Sequence, residues 1–156
     1  MKHVFDTNSF RVLENYYPER FPTFWDNFNG AVETGTVVSV REVYNEVENL
    51  VRPEWLLEWA KQHRAIFLKP GSAETEFVAE IFRVPHFRTL VGATQVLRGS
   101  TVADPFIIAA ARVLEGCVVT EEALKPNAAK IPNICQHFGI ECTNMEGFLD
   151  RMGWQF

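Results

Sequence analysis

Apolar residues recur along this chain in short blocks, and the blocks alternate between strand-like and helix-like spacing. Lys2-His3-Val4-Phe5 runs straight into Asp6-Thr7-Asn8-Ser9. That pattern predicts a short buried strand delivering a carboxylate to its C-terminal end. Thr36-Val37-Val38-Ser39-Val40, Ala65-Ile66-Phe67-Leu68, Cys117-Val118-Val119-Thr120 and Ile140-Glu141-Cys142 read as further short strands. Helical spacing fills the intervals. Ser9 to Asn15 predicts a short helix, and Pro22 opens a second one in which Phe21, Phe24, Trp25 and Phe28 fall on one face. Ser39 with Glu42 matches a capping box for a third helix. Pro53 starts a helix carrying Trp55, Leu56 and Trp59 on one stripe. Ser72 is expected to cap another, through Phe77, Ile81 and Phe82, which Pro85 ends. Asp104 at the N-cap and Pro105 at the first helical position start an Ala-rich helix that Gly116 closes. Asn133 is expected to cap the next, and Met145 to Met152 forms the last. Helix following strand in this rhythm is the mark of a parallel α/β sheet. Residues 53 to 100 are the part of the chain that the pattern decodes least.

Length narrows the architecture further. A chain of 156 residues fits one domain, 1 to 156, with a core of ordinary size. Hydrophobic content of 47% with 22% charge is a globular composition, and the apolar runs are too short to cross a bilayer. His3 and Asp6 interrupt the N-terminal apolar stretch, so no signal peptide and no membrane association are expected. Three cysteines without a CxxC pairing suggest reduced thiols and a cytoplasmic protein. The net charge of −5 argues against coating nucleic acid by bulk electrostatics. It leaves room for basic rims around an acidic metal site.

Four acids stand where strands end or the next helices begin: Asp6, Glu46, Asp104 and Glu122. Right-handed βαβ connections would bring these ends to one edge of the sheet. Each has a plainer reading as well. Capping alone would account for Asp104, the capping box gives Glu42 a structural task, and Glu46 could be an exposed helix glutamate. Gathered without cationic partners, however, carboxylates repel and their pKa values rise unless a metal neutralises them. Oxygen donors of this kind suit Mg²⁺ or Mn²⁺. Such ions activate water and stabilise charge on a phosphodiester, so the inferred reaction is phosphodiester hydrolysis.

At these positions the chain resembles a known family. Asp6-Thr7-Asn8, Val43-Tyr44-Asn45-Glu46-Val47, Ala103-Asp104-Pro105 and Val118-Val119-Thr120-Glu121-Glu122 look like the acidic motifs of PIN-domain nucleases. The Phe-rich segment around Pro22 and Trp25, the Asp104-Pro105-Phe106 helix start and Lys130-Ile131-Pro132-Asn133-Ile134-Cys135 resemble VapC-like toxins. The resemblance implies a three-layer αβα sandwich with a central, mainly parallel twisted sheet, and a Mg²⁺-dependent endoribonuclease acting on RNA. It also implies a cognate protein antitoxin that blocks the site. Carried over residue by residue, Asp6, Glu46, Asp104 and Glu122 would be the catalytic, metal-holding acids, with Thr7, Asn8 and Thr120 as orienting neighbours. The family commonly has Thr-x-Asp where this chain has Thr120-Glu121-Glu122, so a longer acid stands at the fourth position, with Glu121 as the alternative there and Glu42 as the alternative to Glu46.

Other readings compete. A phospho-aspartate phosphatase wants a second aspartate at position 8, which is asparagine. A zinc site from Cys135, His137 and Cys142 has two ligands too close in sequence and no second pair. The rival from another class is a PIN-like module whose acids no longer hold metal, used for binding or regulation. The Phe21, Phe24, Trp25, Phe28 stripe is either core or a groove for a partner or a homodimer contact. Arg11, Lys61, Arg64, Arg98, Lys125 and Lys130 could guide RNA, with solvated surface as the default.

Overall fold

Five short strands, β1 His3–Phe5, β2 Val37–Val40, β3 Phe67–Leu68, β4 Cys117–Val119 and β5 Glu141–Thr143, pair in the order β3-β2-β1-β4-β5. Every pairing is parallel. This is a computed structural model, and it describes residues 1–49, 53–90 and 103–156; Arg98 lies outside them. The helices are α1 Thr7–Val12, α2 Pro22–Glu33, α3 Arg41–Glu48, α4 Glu54–Gln62, α5 Ser72–Phe82, α6 Ala103–Leu114, α7 Ile131–Phe138 and α8 Met145–Met152. Helices cover both faces of the sheet, giving a three-layer αβα sandwich. Of the described helices, none is long and apolar enough to cross a membrane.

The three central strands, β1, β2 and β4, are short runs of β-prone residues buried on both sides, as a covered parallel sheet requires, while the edge strands β3 and β5 are partly exposed. In β1 the side chains alternate. Phe5 meets Phe28 of α2 at 5.6 Å and Phe148 of α8 at 5.0 Å, and His3, two residues back, meets the same Phe148 at 5.1 Å. Val4 points the other way by the pleat and is fully buried, as are Ile107 and Ile108 of α6, the helix packed on the strands. The α2 stripe is core: Phe24, Trp25 and Phe28 are buried, and Trp25 and Phe28 both contact Trp59 of α4. Of the stripe, Phe21 is exposed, and Trp25 lines an open cavity of about 270 Å³ with Trp55 and Trp59.

Several helix starts differ from expectation, each for a local reason. The Ser39 and Glu42 capping box does not form. Ser39 lies inside β2 and its hydroxyl donates to the Phe5 carbonyl at 2.6 Å, so α3 begins at Arg41, behind Val40 as an N-cap without a side-chain hydrogen bond. Asp104 is not the N-cap of α6; the helix already starts at Ala103, which puts the aspartate within its first turn. Gly71 rather than Ser72 caps α5, with its N–H donating to Glu74 at 3.0 Å. Lys130, not Asn133, precedes α7, and the Asn133 amide instead donates to the Lys125 carbonyl at 2.6 Å. After α6 the left-handed residue is Glu115, with φ of 52°, rather than Gly116. Glycine is required at 116 by crowding, because a Cβ there would lie 2.5 Å from the Lys2 carbonyl oxygen. The third strand shrinks to Phe67–Leu68, since Arg64–Ile66 forms a 3-10 turn, and the last strand starts at Glu141 rather than Ile140.

Candidate active site

The chain runs from β1 outward through β2 to β3, then returns to place β4 on the other side of β1. Ligands of open α/β sheets bind at such a reversal, because the loops leaving the two strands diverge there. Asp6 leaves β1 and Thr120 leaves β4 at that point. Asp6 is 2% exposed, and both its carboxylate oxygens are engaged. Oδ1 accepts from the Ser9 N–H at 2.8 Å, which makes Asp6 the N-cap of α1, and Oδ2 accepts from the Thr120 hydroxyl at 2.5 Å. The Asp6 N–H donates to the Val119 carbonyl at 3.1 Å, and Ser9 Oγ donates to the same carbonyl at 2.8 Å. Thr120 Oγ1 also accepts from the Glu122 N–H at 3.2 Å. One threonine thus ties the first acid to the backbone of the fourth.

Charge gathers around this pair. Asp104, in the first turn of α6, is pushed up to about 7, first by burial and then by the charges of Glu122, Asp6 and Glu46, with Lys130 pulling weakly the other way. The Asp6 carboxyl is also raised, by burial above all and by Glu122, against the lowering effect of its hydrogen bonds to Thr120 and Ser9. All four predicted acids therefore reach one edge of the sheet. Glu46 accepts a short hydrogen bond from the Thr7 hydroxyl, which links α3 to α1. Glu122 Oε2 accepts from the Ile131 N–H at 2.9 Å, at the start of α7. Asp104 and Glu122 line an open cavity of about 250 Å³ together with Thr89, Ala129 and Lys130.

The two alternative acids lie elsewhere. Glu121 turns away to accept from the Met145 N–H at 2.8 Å, at the start of α8. Glu42 is buried in an ion pair with Arg41 at 3.0 Å, and its second oxygen has no partner among the described residues. Asn8 is exposed and outside the hydrogen bonds around Asp6 and Glu46. Among the described residues no three of His, Cys, Asp or Glu stand ready as a metal cage. The residues of the zinc reading are placed differently from one another: Cys135 is buried, while His137 is exposed with its ring against Phe87 at 5.1 Å. The donor set that does converge is all hard oxygen, with one lysine. Sequence reasoning missed Ser9, although Asp-x-x-Ser before an apolar run is a recognisable helix start.

Comparison with known structures supports the fold. VapBC2 from Rickettsia felis, solved bound to a DNA fragment from its promoter, is similar at 14% identity, covering 92% of this chain and 98% of that one with a TM-score of 0.50. PAE2754 from Pyrobaculum aerophilum is similar at 16% identity, over 99% and 98% of the two chains, with a TM-score of 0.52. FitAcB from Neisseria gonorrhoeae is similar at 17% identity, over 91% and 96%, with a TM-score of 0.50. A search among curated proteins gave no match. The fold is PIN-like, shared with these structures, and over residues 3–156 the chain belongs to the family described as Domain of unknown function (DUF4411).

Proposed function

We propose that this protein is a Mg²⁺- or Mn²⁺-dependent endoribonuclease and the toxin of a toxin-antitoxin pair, working in the cytoplasm. The observation that carries the reading is Asp104, buried at the switch point of the sheet, whose carboxyl is pushed up to about 7 first by that burial and then by the charges of Glu122, Asp6 and Glu46. Mutual repulsion of this kind costs stability in the free protein, and a divalent cation relieves it. When held by Asp6, Glu46, Asp104 and Glu122, such an ion supplies a polarised water and neutralises charge on the phosphodiester oxygens. The chain's own residues do the positioning. Thr120 and the Ser9 N–H fix the Asp6 carboxylate, Thr7 orients Glu46, and Lys130 beside Asp104 and Glu122 offers the cation that draws a phosphate into an acidic cleft.

RNA cleavage in Mg²⁺ or Mn²⁺ by the wild type and by Asp6→Asn tests this directly. Cleavage by the wild type and its loss in the variant are expected. Equal activity in both, or none in the wild type across structured and single-stranded RNAs, rejects the reading in favour of a PIN-like binding module. An antitoxin partner follows from the likeness to VapBC2 and FitAcB. Co-purification with the product of an adjacent reading frame checks it, and harmless expression of the protein alone with nothing bound speaks against it.

A further inference from the structure

A second open cavity, of about 400 Å³, shares Glu122 with the one that holds Asp104 and Lys130. Glu122 lines both, and Thr120, the residue that fixes Asp6, lines this one. Its size falls inside the range of about 300 to 1,000 Å³ typical of small-ligand sites. The walls are of two kinds. Leu124 and Pro132 present apolar surface, and Leu124 is 52% exposed, so core packing does not account for it. Gln136 and Asn144 present amides. Asn144 spends its carbonyl oxygen capping α8, accepting from Gly147 N–H at 2.9 Å, which leaves its NH₂ as the group available to donate.

We propose that this groove takes an unpaired nucleobase of single-stranded RNA, one nucleotide away from the phosphodiester at Asp104 and Glu122. The inference rests on the nuclease reading and specifies its substrate. Charge favours it: next to four acids a further phosphate would be repelled, whereas an uncharged base gains apolar contact with Leu124 and Pro132 and hydrogen bonds from the amides. Lys130 in the neighbouring cavity then meets the adjoining phosphate. A base in a duplex keeps its face stacked and its edge paired, so it cannot enter.

Fluorescence anisotropy with a labelled single-stranded RNA hexamer and its duplex, in Mg²⁺ and in the Asp6→Asn background, tests the groove without cleavage. The Leu124→Ala, Gln136→Ala double variant should weaken binding of the single strand by about fivefold or more. Duplex should bind poorly to either protein. In the cleaving protein the same two changes should raise KM by a similar factor and leave kcat within about twofold. Unchanged affinity in the double variant, or tight binding of duplex, overturns the groove even if the wild type cleaves RNA. Failure of the hexamer to bind at all overturns it too. Groove-dependent binding by a protein that never cleaves would leave this inference standing and remove the nuclease reading.

Discussion

The two flanks of β1 are built on opposite physical terms. On one flank, Phe5 joins Phe28, Phe148, Trp25 and Trp59 in a set of edge-to-face and tilted rings that includes two indole N–H groups. Both find partners, Trp25 on the Tyr16 carbonyl at 2.5 Å and Trp59 on Asn29 at 2.9 Å. At the other flank, one residue beyond Phe5, the same strand ends in a buried carboxylate surrounded by like charge. The aromatic flank stabilises the domain, and the acidic edge destabilises it. Functional sites are commonly placed at a cost that the remainder of the fold must offset, and this contrast locates that cost at four residues.

The contrast can be broken from either side. The largest effect is expected at Asp6: Asp6→Asn should lower RNA cleavage by on the order of a thousandfold, read as kcat/KM in Mg²⁺, with little change in melting temperature. Next, Phe28→Ala opens a cavity among five rings and should cost about 3 to 5 kcal/mol of unfolding free energy in a denaturant titration. Thr120→Ala should lower kcat by about 10- to 100-fold while the protein remains folded, because Asp6 and the Glu122 backbone lose their shared anchor. A smaller effect of opposite sign is expected at Asp104. Its folded pKa of about 7 lies above the ordinary 3.8, so the folded state binds the extra proton and stability falls as pH rises from about 4 to 7. Asp104→Asn should therefore raise the melting temperature of metal-free protein at pH 8, and Mg²⁺ should narrow the gap.

The smallest effect lies on the aromatic flank. His3 is buried against Phe148 with neither ring nitrogen hydrogen-bonded among the described residues, and its pKa is lowered from 6.5, chiefly by burial and then by Arg151. A histidine held neutral contributes stability above its unfolded pKa and loses it as pH falls through 6.5. Thermal melts between pH 5 and 7.5 should show that loss in the wild type and a flatter profile in His3→Leu. An unchanged slope in the variant would assign the acid limb to other groups.

Much of the site was legible because its signals are local. Asp6 behind Val4-Phe5, Pro105 behind Asp104, and Thr120 behind Cys117-Val118-Val119 are each read from a few neighbours, and strand-helix alternation places them at element ends. Local signals fail where a side chain has two partners to choose from. Ser39 followed by Glu42 reads as a cap, yet the hydroxyl prefers the carbonyl of a strand 34 residues earlier, whose proximity only sheet pairing creates. Glu42 and Glu46 share one face of a helix by spacing, and so cannot be told apart by it.

The sequence by itself determined the alternation of elements, the parallel sheet and the four acids, because periodicity and capping act over a few residues. Tertiary structure decided which acids meet. It set β4 beside β1, so that Thr120 reaches Asp6 across 114 residues. It turned Glu121 to the start of α8 and left Glu122 toward Asp104. Those outcomes depend on sheet order and helix docking, where burial free energy summed over the whole core overrides the preference of any single side chain.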